Sequence, residues 1–266
     1  MTQSQDRKLA LVTGASSGIG YELAKQFAQN GFDLIVAAED EGIQRAAADF
    51  QQLGAAVKPV QVDLAVYDGV EKLYTETRTA GRPLDAAAIN AGVGVGGDFT
   101  RKTDLESELR LIDLNVKSTV HLAKRVLADM AERRSGKLLF TASVASIVPG
   151  PFEAVYAASK AFVFSFSEAL RNELRDSGVS VTALLPGATE TNFFHRAGMD
   201  NTKVGTSEKD DPAQVAQEGF EALMAGKDSV IAGSFKNKLF VAAGRVAPES
   251  AASLHRREAE PQEANR

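Results

Sequence analysis

The chain has 266 residues, 44% hydrophobic and 24% charged, with no cysteine, three histidines and a formal net charge of −5. That is the balance of a folded globular protein; it excludes disulfides and thiolate metal sites, and with His121, His195 and His255 scattered along the chain no metal is expected. The acidic balance argues against nucleic acid as a partner, no apolar run approaches the ~20 residues of a membrane span, and MTQSQDRK is no apolar leader, so a cytoplasmic protein without a membrane partner is expected.

Short apolar runs alternate with longer amphipathic segments. Leu9–Thr13 reads as a first strand, followed by the octapeptide TGASSGIG and a helix over Gly20–Asn30. Strand, glycine turn and helix is the context in which a dinucleotide pyrophosphate is bound, because glycine lets the backbone approach and the helix start offers unpaired N–H groups. Gly14, Ser16, Ser17, Gly18, Ile19 and Gly20 are therefore candidate cofactor-binding residues. Their GxxxGxG spacing differs from the GxGxxG of other dinucleotide folds.

A second strand, Leu34–Ala38, runs into Glu39, Asp40 and Glu41, and a helix follows over Gly42–Leu53. Strand end Glu39 lies where the adenine ribose is read. The third strand, Val57–Val62, leads to Asp63 and Leu64; Asp63 suits either an adenine amino group or a helix cap. After a helix over Tyr67–Ala80, the fourth strand Ala86–Ile89 ends in Asn90, Ala91 and Gly92, again at the end where open parallel sheets bind ligands.

A long helix interrupted at Asn115 is expected over Leu105–Arg134, a fifth strand over Lys137–Thr141 with Ser143 just beyond it, and a helix over Val155–Ser177. On that last helix Tyr156 and Lys160 share a face at i, i+4. The sixth strand, Val179–Leu185, gives way to Pro186, Gly187, Thr189 and Thr191. A helix over Pro212–Ala225 and a strand over Val230–Ala232 complete the pattern. Continuous apolar runs suit strands buried on both faces, so the fold class is α/β, a doubly wound parallel sheet in one domain over residues 1–247. Residues 248–266 are polar and read as a loose tail or a subunit-contact arm.

TGASSGIG, INAG at 89–92, Asn115 in LNV, Ser143 in TAS, YAASK at 156–160 and PG followed by Thr191 occur in this order. The ordered set closely resembles the short-chain dehydrogenase/reductase family over roughly residues 7 to 235. The resemblance implies a Rossmann-type domain of seven parallel strands, a nicotinamide cofactor and a catalytic set of Asn115, Ser143, Tyr156 and Lys160. It further implies that Asn115 holds a relay water and that Thr191 lies near the nicotinamide carboxamide.

The chemistry can also be argued from residue types. Moving a hydride between a carbonyl and a secondary alcohol needs a carrier that only a cofactor supplies, and a group that exchanges a proton with the oxygen. Tyr156 would be that acid/base. A free phenol titrates at about 10, so Lys160, helped by the positive charge of the oxidised nicotinamide, would lower it and could also hold the ribose. Ser143 would stabilise charge on the substrate oxygen. Val93, Val95, Val144, Ile147, Phe152, Phe193 and Phe194 suggest a hydrophobic ketone or alcohol, with residues 198–211 as a mobile lid; His195 is expected on the surface.

NAD is expected over NADP, because Glu39 would accept from a free 2′-hydroxyl and repel a 2′-phosphate, with Arg45 the nearby cation. A homodimer or homotetramer is expected, from residual apolar surface at Leu122, Val126, Phe162 and Phe166. Two rival functions stand beside this one: an epimerase or dehalogenase on the same site, and a non-catalytic nicotinamide sensor.

Overall fold

The computed structural model describes residues 7–262. Seven strands form one sheet in the order β3-β2-β1-β4-β5-β6-β7: β1 Lys8–Thr13, β2 Phe32–Ala38, β3 Val57–Gln61, β4 Ala86–Ile89, β5 Gly136–Thr141, β6 Val179–Pro186 and β7 Ser229–Ala232. Every neighbouring pair is parallel. The order reverses between β1 and β4, and a crevice opens there beyond the strands' C-terminal ends.

Helices α1 (Gly18–Gln29), α2 (Gly42–Gln52) and α9 (Pro212–Met224) cover one face; α3 (Tyr67–Arg78), α5 (Ser118–Glu132) and α6 (Ala154–Glu173) cover the other. The period-two alternation of a strand distributes β1 between them. Leu9 and Leu11 pack with Leu122, Val126 and Met130, whereas Ala10 and Val12 pack with Leu23, Phe27 and Phe220. The α9 start is capped as its sequence suggests: Pro212 opens the helix and the Asp211 carboxylate accepts from the Ala213 amide at 2.9 Å.

The helix over Leu105–Arg134 is interrupted at Asn115 as expected: α4 (Leu105–Ile112) passes through a π turn at Asp113–Lys117 into α5, and Asn115 sits buried in that turn. Two other expectations need correction. Leu122 and Val126 belong to the core rather than to residual surface. Exposed apolar side chains on the helices α4 and α6 are Leu105 (71% exposed), Leu109 (51%), Ile112 (36%) and Phe162 (41%), and others lie towards the C-terminus and in loops.

The polar tail is also ordered over most of its length. Following α10 (Phe235–Val246), α11 (Pro248–Ala259) folds back over the crevice and buries Ala251 and Ala259. Spaced alanines supply a narrow apolar stripe that a count of large apolar residues overlooks.

Candidate active site

The floor of the crevice is a set of strand ends tied together by polar side chains. Thr13, at the end of β1, accepts from the Asn90 and Ala91 amides through its hydroxyl, both at 3.0 Å. The Asn90 side chain donates to the Thr13 carbonyl at 3.1 Å and accepts from the Thr141 hydroxyl at 3.0 Å. Asn90 thus joins β1, β4 and β5 and shapes the cleft.

The glycine loop lies on this floor. Gly18 has φ of +58° and its backbone passes so close to Thr191 that a Cβ would come within 3.0 Å of that side chain. A Cβ on Gly20 would stand 2.1 Å from the Gly14 carbonyl oxygen, so no other residue fits. The α1 start has neither a side-chain cap nor an acidic residue in its first turn, which leaves its N–H groups and partial positive charge open to an anion. Gly14, Ser16, Ser17, Gly18, Ile19 and Gly20 all face a cleft of about 660 Å³. This cradle suits the pyrophosphate of a dinucleotide.

The far end of the cradle differs from the expectation. Glu39 is paired with Arg110 of α4 at 2.9 Å, and the same guanidinium reaches Asp63 at 3.2 Å. Arg110, rather than Arg45, is the cation at this corner. Asp63 also caps the Ala65 amide at 2.8 Å, and Asp40 accepts from Ser16 at 2.7 Å and from the Gly42 amide at 2.9 Å. Leu64 lines the cleft beside Asp63.

Tyr156 and Lys160 emerge from the first two turns of α6, both buried. Lys160 donates from Nζ to the Thr141 carbonyl at 2.9 Å, and Nζ stands 5.9 Å from the centre of the Tyr156 ring. Burial lowers the lysine's pKa to about 8. The phenol is shifted the opposite way from the expected depression. Burial first, and then the negative charge of Glu153, raise its pKa well above the ordinary phenol value, and the Ser143 hydroxyl offsets this only in part. Ser143 follows β5 and also accepts from the Ala145 amide at 3.1 Å, starting a short 3₁₀ turn.

Asn115 reaches the same place from the π turn. Its amide donates to the Val93 carbonyl (2.9 Å) and to Ser159 Oγ (3.0 Å), and its Oδ1 accepts from the Val93 amide (3.0 Å). One Oδ1 lone pair remains. A Cβ placed on Gly92 would lie 3.1 Å from that oxygen and 3.2 Å from Lys160 Nζ, so both atoms border one small space.

Pro186, Gly187, Thr189 and Thr191 line the opposite wall. Thr191 Oγ1 accepts from the Phe193 amide at 3.2 Å and starts α7 (Phe193–Arg196), while Thr189 donates to the Gly187 carbonyl at 3.0 Å. Of the seven apolar side chains expected around the substrate, Val93, Val144, Phe193 and Phe194 line the cleft; Val95, Ile147 and Phe152 do not. Phe193 packs on Tyr156 with ring centres 5.1 Å apart. His195, 75% exposed, pairs with Asp200 at 2.7 Å away from the chemistry. The segment 198–211 is anchored by buried Met199 and Thr202 and contains α8 (Lys203–Thr206).

Residues outside the expected set include Glu153 and His255, which line the cleft, and Arg110, which pairs with the cleft residues Glu39 and Asp63. Glu153 stands three positions ahead of Tyr156, a spacing open to inspection in the sequence. Arg110 and His255 are brought in from elements distant along the chain, and no local signal marks them.

A family model described as short chain dehydrogenase matches residues 8–202. An uncharacterized short-chain type dehydrogenase/reductase of Sinorhizobium fredii, y4eK, is 37% identical over 190 residues, 71% of this chain and 73% of that protein. Among solved structures, a short-chain dehydrogenase from Sphingobium yanoikuyae in complex with NADPH superposes with a TM-score of 0.80 at 31% identity, covering 97% of this chain and 99% of its own. A bulky-bulky ketone specific alcohol dehydrogenase from Comamonas testosteroni gives 0.76 at 25% identity, covering 98% of each chain.

Proposed function

This chain belongs to the short-chain dehydrogenase family, and from that premise we propose that it is a nicotinamide-dependent oxidoreductase interconverting a carbonyl compound and its secondary alcohol. The observation that carries the reading is the buried Tyr156 with Lys160 one turn further on and Ser143 beside it, facing a glycine-loop cleft.

When bound, the nicotinamide supplies or accepts the hydride. In the reducing direction Tyr156 gives its phenolic proton to the substrate oxygen as the carbonyl becomes an alcohol. A phenol held above its ordinary pKa is fully protonated near neutrality, so Tyr156 is set as a proton donor. The resulting phenolate is stabilised by the Lys160 ammonium and reprotonated through the space shared by Lys160 and Asn115 Oδ1. Ser143 donates to the same substrate oxygen and holds it against Tyr156. Lys160 would also hold the nicotinamide ribose.

At the adenosine end the balance of charge favours NAD. Glu39 and Asp63 share one guanidinium, leaving the corner net negative and opposed to a 2′-phosphate. The exposed apolar faces of α4 and α6 make the protein a homo-oligomer through paired helices. The test of the whole reading is a panel of ketones and secondary alcohols assayed with both cofactors in both directions at the nicotinamide absorbance. Turnover that requires Tyr156 supports it; cofactor binding with no turnover of any carbonyl or alcohol overturns it.

A further inference from the structure

The wall of the cleft opposite the glycine loop is built by α11, and it is not uniformly apolar. The helix is tied to two segments around Tyr156. Towards 198–206, Lys203 pairs with Glu258, and the Gln262 amide donates to the Asn201 carbonyl at 2.9 Å. Towards the start of α6, the Arg256 guanidinium lies 5.4 Å from the centre of the Phe152 ring. Those charged groups are occupied in holding the helix down.

Glu153 and His255 are different. Both line the cleft, and both are largely sequestered, with side-chain exposures of 7% and 13%. His255 Nε2 is 3.1 Å from a Glu153 carboxylate oxygen, yet it lacks the alignment of a hydrogen bond and is a buried nitrogen without a partner. Glu153 is the residue that immediately precedes α6, three positions ahead of Tyr156, and its charge acts on the phenol that meets the reacting oxygen. Burying a carboxylate in an apolar-lined cleft is costly unless it is matched. Phe193, Phe194, Leu254 and Ala259 supply the apolar surface around it.

We propose that Glu153 and His255 form a second recognition pole, which binds a hydroxyl group carried by the substrate one to three bonds from the reacting carbonyl. The choice of group follows from the two partners. A carboxylate only accepts, and an imidazole nitrogen can donate; once the 3.1 Å contact between them parts and uncovers Nε2, which has no open surface as it stands, a hydroxyl can donate to Glu153 and accept from His255 at once. A second carbonyl would present only lone pairs to the carboxylate, and an ammonium would leave the imidazole unmatched. The substrate class is thus the hydroxyketone, or the corresponding diol in the oxidative direction. This rests on the oxidoreductase reading above and narrows it.

The test uses a matched pair in which hydroxyl replaces methyl, 2-hydroxycyclohexanone and 2-methylcyclohexanone, with 3-substituted analogues to vary the separation. The kcat/KM ratio of hydroxyl to methyl compound is taken within each protein, so that a general loss of rate cancels. The expected ratio is at least tenfold in the unmodified enzyme, falling to near or below one in Glu153→Leu and, independently, in His255→Leu. A ratio near one in the unmodified enzyme, or one that survives both substitutions, overturns the proposal. Thermal denaturation with 1,2-cyclohexanediol or methylcyclohexanol separates the two layers of the argument. Diol-selective stabilisation lost in both variants, without turnover of any ketone, would keep the recognition pole and overturn the oxidoreductase reading; stabilisation by neither alcohol overturns the pole.

Discussion

Lys160 Nζ donates its hydrogen bond to the Thr141 carbonyl and stands 5.9 Å from the centre of the Tyr156 ring. The lysine is thereby fixed to the end of β5. In the proposed reaction, proton transfer depends on the phenol itself, while the ammonium would stabilise the charge left behind.

Replacing Tyr156 by Phe removes the proton donor and keeps the ring packed on Phe193. Turnover should fall by roughly 10²–10⁴-fold or more, with the dissociation constant for reduced cofactor, read by nicotinamide fluorescence, changed by less than about threefold. Retention of a tenth of the rate would remove Tyr156 from the chemistry.

The Lys160 pKa, lowered by burial to about 8, sets a pH dependence. Below that value the ammonium is present to stabilise the phenolate; as pH rises through about 8 it is lost. Carbonyl reduction should therefore be flat from about pH 6 to 7 and decline through pH 8 to 9. Tyr156 is shifted upward and does not titrate in this window. A kcat profile level to pH 10 would contradict this.

Cofactor choice should turn on the Glu39–Arg110–Asp63 corner. Glu39→Gln removes one carboxylate and releases Arg110 towards a 2′-phosphate. The ratio of kcat/KM for NAD over NADP should exceed one in the unmodified enzyme and fall by about tenfold in the variant, a change within reach of one screened charge pair. An unchanged ratio would show that this corner does not read the ribose.

Leu105, Leu109 and Ile112 on α4, with Phe162 on α6, offer the exposed apolar surface. Light scattering should report a dimer or tetramer at micromolar concentration, and Leu109→Asp should shift it towards the 28.3 kDa chain without loss of helix content by circular dichroism. A monomer before substitution would disprove the assembly.

Much of this was legible in the chain itself. Seven apolar runs mark the strands because a sheet covered on both faces favours apolar side chains on both sides, as β2 shows, fully buried and apolar except for Asp33, which pairs with Arg7 and Arg82. Tyr156, Lys160 and Ser143 stand at spacings short enough for local geometry to bring them together. Arg110 and His255 could not be placed, since their meaning depends on pairing with Glu39 and Glu153 across the fold. The break at Asn115 changes hydrogen-bond register rather than composition, so it was legible at the asparagine of the motif and not in the apolar pattern. The rise of the Tyr156 pKa by burial was not legible, because an i, i+4 lysine is visible in sequence and desolvation is not.

The bonds that Asn90 makes to Thr13 and Thr141 divide the protein into parts of unequal persistence. The Asn90 and Ala91 amides, held by one threonine hydroxyl beneath the cleft, belong with the sheet and should exchange with deuterium only on global unfolding, over hours or longer. The segment carrying α7 and α8 is anchored through its own small cluster of Phe194, Ala197 and Met199 rather than through the sheet ladder, and its amides should exchange sooner, by local opening. In the proposed reaction, passage of a substrate in and out would then be governed by this roof, while the floor beneath it stays fixed through each cycle.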